Sequence, residues 1–311
     1  MSGATVAAPI EDRAGTLAGR FRGWLANPWA RPRFLVILTW AYMVWSIVPV
    51  AFAILMSFNS GRSTVAFQGF SFYWWWQDPD AAVFTNPDFV NAIVQSLKLA
   101  AGDMLIATPI GVALALGLAR WRGRGRGSAN FLMLFPLVTP EIVMGTALFL
   151  VFSNLYESIS LGTPAQLLGH VTFSISYVVI VVRGRLFAIG REYEEAAMDL
   201  GASPFGALRR VLFPLLGPAI FASAMIVFAI SIDDFVISTF LLGGQESNTV
   251  PVLIYQQARG GPRPSLNGVA TLMLVGSMIA IALALIVTSR FAKRREAGRA
   301  SAVEDFARFE L

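Results

Sequence analysis

The chain has 311 residues, of which 56% are apolar and 14% charged, with a formal net charge of +5 and no cysteine. A soluble domain carries about 25% charged residues, so this balance points to a membrane protein. Without cysteine, disulfides, thiolate metal sites and thiol catalysis are excluded.

Residues 1–33 form a basic lead with Arg13, Arg20, Arg22, Arg31 and Arg33. Phe34 to Phe58 follows without a charge across 25 positions. As a helix it rises about 37 Å, enough to cross a bilayer with tilt. The run and its lead are too long for a cleavable signal peptide, and "LMSFNSG" offers no small-residue cleavage site, so a retained signal anchor is expected. In the next stretch, "FSFYWWWQD" is crowded with aromatics. They suit a membrane–water interface belt or, alternatively, a cation–π surface near a pathway mouth.

Five more apolar windows run from about Ile93 to Ala119, Ala129 to Ser153, Ala165 to Val182, Leu215 to Leu242 and Gly268 to Ser289. The expected fold is therefore all-α with six transmembrane helices over residues 34–290, followed by a tail at 291–311 whose last residues, from 296, are polar and loosely ordered. Of the 24 Lys and Arg, all but Arg62, Lys98, Arg259 and Arg263 fall in the lead, in or beside the loops after the second and fourth spans, or in the tail. Short basic loops stay on the cytoplasmic side, so both termini are expected there. The positive charge reflects this topology and the anionic inner leaflet, with no call for nucleic acid.

Four acidic residues fall inside the windows at a cost of about 2.5 to 3.5 kcal/mol each on insertion scales. Glu141 lies in the third, between Pro140 and a Gly145 that permits close packing. Pro136 and Pro140 free nearby carbonyls, which suggests local unwinding against a cavity. A carboxylate there is a plausible way-station for an organic cation. Asp233 and Asp234 lie in the fifth window, and as neighbours on a helix they would point about 100° apart. One is expected to face a central path and the other to take a partner on another helix. For all three, interhelical hydrogen bonding alone is the alternative. Asp103 in the second window reads as a packing residue, and so does His170, the sole histidine.

Between the fourth and fifth windows, residues 191–214 are charged and helix-like. "REYEEAAMDL" is rich in helix formers, Gly201 can supply a left-handed stop, and Ser203 with Pro204 reads as the start of a second helix. Ala197 and Gly201 share a face of little bulk, flanked by Glu195 and Asp199. Such a surface suits docking into a groove of a partner protein, or else rests on lipid headgroups.

Glu195, Ala196, Ala197, Gly201, Val211, Phe213 and Pro214 together resemble the EAA loop of ABC importer permeases, E-A-A-x3-G-x9-I-x-L-P, with Val211 and Phe213 as apolar replacements. "MSFNSGRSTVAFQGFSFYWWW", "TPEIVMG", "SIDDFVISTFLLGG" and "NGVATLMLV" extend the resemblance to the second permease of spermidine/putrescine importers, from about Phe34 to Arg290. The resemblance implies a type I importer permease fold in a bacterial inner membrane. It implies that Glu195, Ala196, Ala197 and Gly201 contact an ATPase subunit and that Pro214 sets a turn into the fifth span. Glu141, Asp233 and Asp234 would lie on the path of a small cationic solute, with Trp74 near its mouth.

The implied partners are a second permease, a dimer of ATPase subunits, an extracytoplasmic solute-binding protein and membrane lipid. No cofactor is implied for this chain, since ATP would be bound by the ATPase; the sequence has no G-x-x-x-x-G-K-[ST] loop and no H-E-x-x-H pair. Related permeases serve ferric iron, thiamine or opine-like solutes, which remain alternatives. An intramembrane enzyme or a stand-alone carrier would be a different class altogether.

Overall fold

A computed structural model describes residues 33–121, 123–156, 158–260 and 263–309. The basic lead up to residue 32, and Arg122, lie outside the described residues. The chain divides into two units, residues 1–52 and 53–311. The first is described from Arg33 onward as part of helix α1, Arg33–Ser57.

In the second unit, α2 spans Pro87–Arg120, α3 Arg126–Val138, α4 Glu141–Asn154 and α5 Thr163–Ile189. Short α6, Glu192–Asp199, leads to α7, Pro204–Ala207, which passes through a π-turn at Leu208–Leu212 into α8, Phe213–Asp233. Helices α9, Val236–Phe240, α10, Val250–Arg259, and α11, Pro264–Phe309, complete it. No named strand occurs among the described residues.

Among the described residues, five helical stretches are long and apolar enough to cross a membrane, and α3 with α4 make a sixth span if counted as one bent unit. The third span is bent by 105° between its halves, next to Pro140, where local unwinding was expected. Thr139 is extended, as suits a residue before proline, and Pro140 cannot donate back into α3. The fifth window is likewise interrupted: α8 stops at Asp233, Asp234 is extended at φ −66° and ψ 125°, and α9 follows after Phe235. The last helix continues beyond its span, its backbone remaining helical to Phe309 where a looser tail was expected.

Helices α2, α5 and α8 pack along their lengths through side chains of modest size: Ala107, Val112 and Ala115 on α2, Val171, Val178, Val179 and Val182 on α5, and Leu216 and Val227 on α8. Lipid tails are as apolar as these groups, so the gain comes from close van der Waals contact rather than escape from water. A second cluster joins Phe89 and Ala92 on α2 to Val269 and Met273 on α11, and a third joins Met144 and Phe152 on α4 to Ile237 and Leu241 on and beside α9. In this third cluster, a methyl group placed on Gly145 would come 2.8 Å from the Phe240 ring. Gly145→Leu is therefore expected to cost about 1 to 3 kcal/mol by overpacking. A lowered thermal midpoint of the purified protein in detergent would report it, whereas an unchanged midpoint would refute this packing.

Candidate functional site

The two breaks face each other across one cavity of about 560 Å³, lined by Glu141 from the start of α4, Asp233 and Asp234 from the end of α8, Phe173 and Tyr177 from α5, and Ser277 from α11, with apolar neighbours. Three of the residues expected on a cation path are thus brought together by elements up to about a hundred positions apart in the chain. The two aspartates were expected to diverge as helix neighbours. Because the helix ends between them, both line the same space.

Each aspartate is also held by a partner. Ser277 Oγ donates to Asp233 Oδ2 at 3.0 Å. Asp234 Oδ2 accepts the Ser238 backbone N–H at 2.8 Å, which anchors α9, and lies 3.2 Å from His170 Nε2. The carbonyls at the C-terminus of a helix carry partial negative charge, so two carboxylates at the end of α8 make a strongly cation-attracting corner. Broken helices whose ends face a cavity form the ion and substrate sites of many transporters.

Behind this cavity lies a buried polar stripe that residue-by-residue reading missed. Gln166, His170 and Ser174 recur every four residues on α5 and lie almost fully buried between α2 and the broken fifth span. Gln166 accepts from Gln95 of α2 at 3.0 Å and donates to the carbonyls of Ser238 and Ser247 at 2.9 and 3.0 Å. Ser174 donates to Asp103 at 2.6 Å, so this packing residue is also an interhelical hydrogen-bond partner. His170 is packed, as expected, but its ring also contacts Ser231 at 2.7 Å and Ser238 at 3.1 Å. The signal available in the sequence was the Q-x3-H-x3-S spacing within an apolar window, one face of a helix with three groups that need partners.

On another face of the unit, α6 carries Glu195, Ala196 and Ala197, with Glu195 and Ala196 exposed. Gly201 ends the turn after it at φ +87°, the left-handed conformation that suits glycine. Ser203 then caps α7, its Oγ accepting the Gly206 N–H at 3.1 Å, with Pro204 in the first turn. Glu194 forms an ion pair with Arg120 at the end of α2, tying this helix to the bundle. Arg120, Arg191, Glu194, Glu195, Met198 and Pro204 surround a pocket of about 310 Å³. Leu200 is 90% and Phe205 70% exposed, so the turn also presents apolar side chains.

Pro214 does not turn the chain into the fifth span, because Pro204–Asp233 runs as one helical stretch. Proline lacks an N–H and crowds the carbonyl four residues earlier, here that of Arg210. The preceding turn widens instead into the π-turn, where the Phe213 N–H bonds the Leu208 carbonyl five residues back.

Residues 107–296 match the family model described as binding-protein-dependent transport system inner membrane component. The chain belongs to this family. It is a permease subunit of an ABC importer, with curated relatives spanning most of its length. It is 31% identical to the spermidine/putrescine transport system permease protein PotC of Haemophilus influenzae, over 82% of this chain and 95% of that one. It is 33% identical to the putrescine transport system permease protein PotI of Escherichia coli, over 86% and 94%. Among solved structures, a bacterial alginate ABC transporter in complex with its alginate pentasaccharide-bound periplasmic protein shares the fold with a TM-score of 0.67 at 17% identity, covering 88% of this chain and 96% of that one. The MetNI methionine ABC transporter aligns with a TM-score of 0.52 at 18% identity, covering 66% and 94%.

The permease places Trp74 apart from the three-carboxylate cavity, in the segment between α1 and α2. Its indole is 3% exposed and donates to the Gly61 carbonyl at 3.0 Å. It borders a second pocket, of about 310 Å³, with Arg62, Asp78, Asp80 and Arg263. Around it Phe58 stacks on Phe70 and on Trp75, whose own N–H reaches the Ser57 carbonyl at 3.0 Å. Burial acts to raise the Asp78 carboxyl, but the N–H groups of Asp80 and Ala81, at 3.0 and 2.8 Å from Oδ1, together with the Tyr73 hydroxyl, hold it below the usual carboxylate range.

Proposed function

We propose that this permease imports polyamines, forming half of a translocation path with a second permease. The observation that carries this reading is the convergence of Glu141, Asp233 and Asp234 on one cavity, in a chain whose relatives are named for spermidine and putrescine transport. A single carboxylate at 4 Å from an ammonium supplies only about 4 kcal/mol at an effective dielectric near 20. Stripping water from a charged amine costs several kcal/mol. Three carboxylates offset that cost for a solute with two or more amines, while a path open to solvent keeps release possible.

In this reading both termini are cytoplasmic and a solute-binding protein delivers the polyamine from outside the inner membrane. Two ATPase subunits grip the α6 surfaces of the two permeases. When ATP closes the ATPases, the tethered α6–α8 segment carries the motion into the fifth span, whose far end holds Asp233 and Asp234. Rigid-body rocking then exposes the carboxylates outward, and hydrolysis returns them inward. Labelled spermidine uptake should fall to background in cells lacking this chain and return on complementation. Unchanged uptake, in a strain with no other polyamine importer, would overturn the substrate.

A further inference from the structure

Two donors converge on a single oxygen of Asp234: the Ser238 N–H at 2.8 Å and His170 Nε2 at 3.2 Å, both on Oδ2. Neither contact involves Oδ1. Asp234 itself sits in extended backbone between two helices, so no helical turn packs its side chain into one rotamer. The imidazole is in turn fixed from its other side by Ser231 Oγ, 2.7 Å from Nδ1. His170 is 2% exposed and does not line the cavity, whereas Asp234 does. Both ring nitrogens of this buried imidazole are thus engaged, Nδ1 by Ser231 and Nε2 by Ser238 and Asp234.

We propose that His170 is a positioning residue for the cation path, holding Asp234 by Oδ2 so that Oδ1 is presented to the solute. This rests on the reading of Asp234 as a path carboxylate. The charged residues around the imidazole fit the role. Asp103 on α2 gives Oδ2 to Ser174 and also feels the imidazole's field, Asp233 is held on Oδ2 by Ser277, and among the described residues Asp234 is the carboxylate in direct contact with the ring. The ring nitrogen that faces Asp234 lies at the depth a glutamine amide reaches, while an asparagine amide reaches only the nearer nitrogen and Ser231.

The test uses the assembled transporter, with its partner permease, ATPase and binding protein, in proteoliposomes loaded with ATP, and reads spermidine uptake against concentration. His170→Asn is expected to raise the half-saturating concentration about tenfold with the maximal rate nearly kept, and His170→Gln to stay within about threefold of the parent. Asp234→Asn should raise it about tenfold as well, and adding His170→Asn to that variant should change little, because the imidazole acts through the carboxylate. Equal behaviour of the Asn and Gln variants, loss of assembly in His170→Gln, or full additivity with Asp234→Asn would overturn the positioning role while leaving Asp234 on the path. An Asp234→Asn variant with parental half-saturation would overturn the path reading, and the inference with it.

Discussion

Glu195→Arg is expected to lower ATP-driven uptake by about 30-fold or more while the permease still inserts in the membrane, the loss typical of one interface anchor at about 2 kcal/mol. The side chain lies exposed on an eight-residue helix, beside the small Ala196 and Ala197 and a turn that exposes Leu200. Small groups let a partner's backbone come close, and the reversed, longer side chain would both clash and invert the charge. Glu195 is free of the Arg120 ion pair, which belongs to Glu194, so the substitution leaves the tether to α2 in place. Co-purification of the ATPase with the permease is the direct readout. Undiminished uptake and undiminished co-purification would show that this surface does not carry the ATPase.

The second large effect concerns charge in the cavity. Asp233→Asn keeps a group able to bond Ser277, which donates to Oδ2 at 3.0 Å, so it removes a charge with little disturbance of packing. Combined with Glu141→Gln, it should raise the half-saturating concentration by about 100-fold for a triply charged amine, if each neutralised carboxylate is worth about 1.4 kcal/mol. The rise should be smaller for a doubly charged amine, because the loss scales with the number of ammonium groups placed near the site. Uptake by the double variant within twofold of the parent for both solutes would remove these carboxylates from the path. Measuring both amines separates a charge effect from a general loss of assembly, which would lower them equally.

Composition and apolar windows placed the spans, because a bilayer demands long uninterrupted helices and the sequence writes those directly. The segment around α6 and α7 was also legible locally. A left-handed Gly201 and a Ser203–Pro204 helix start are decided by neighbouring backbone, and both occur where expected. Pro214 was harder, since a proline near a helix start can bend the chain or be absorbed, and here the widened turn absorbed it.

The cavity carboxylates were visible one at a time as costly charges in apolar windows, yet their meeting was not. Only the packed structure decided that α8 ends between Asp233 and Asp234, where Asp234 accepts the Ser238 N–H of α9 and lies against His170 of α5. Gln166 and Ser174, and the polar partners of His170, escaped notice for a related reason. A polar side chain in a span is satisfied by whichever element lies opposite, and pairing across 61 to 81 positions of sequence leaves no local mark. The sequence by itself determined a membrane-spanning helical chain and the helix–turn–helix start around Gly201 and Ser203, since both follow from neighbouring residues. Tertiary packing alone decided which charges share a cavity, since that depends on where separate helices break and meet.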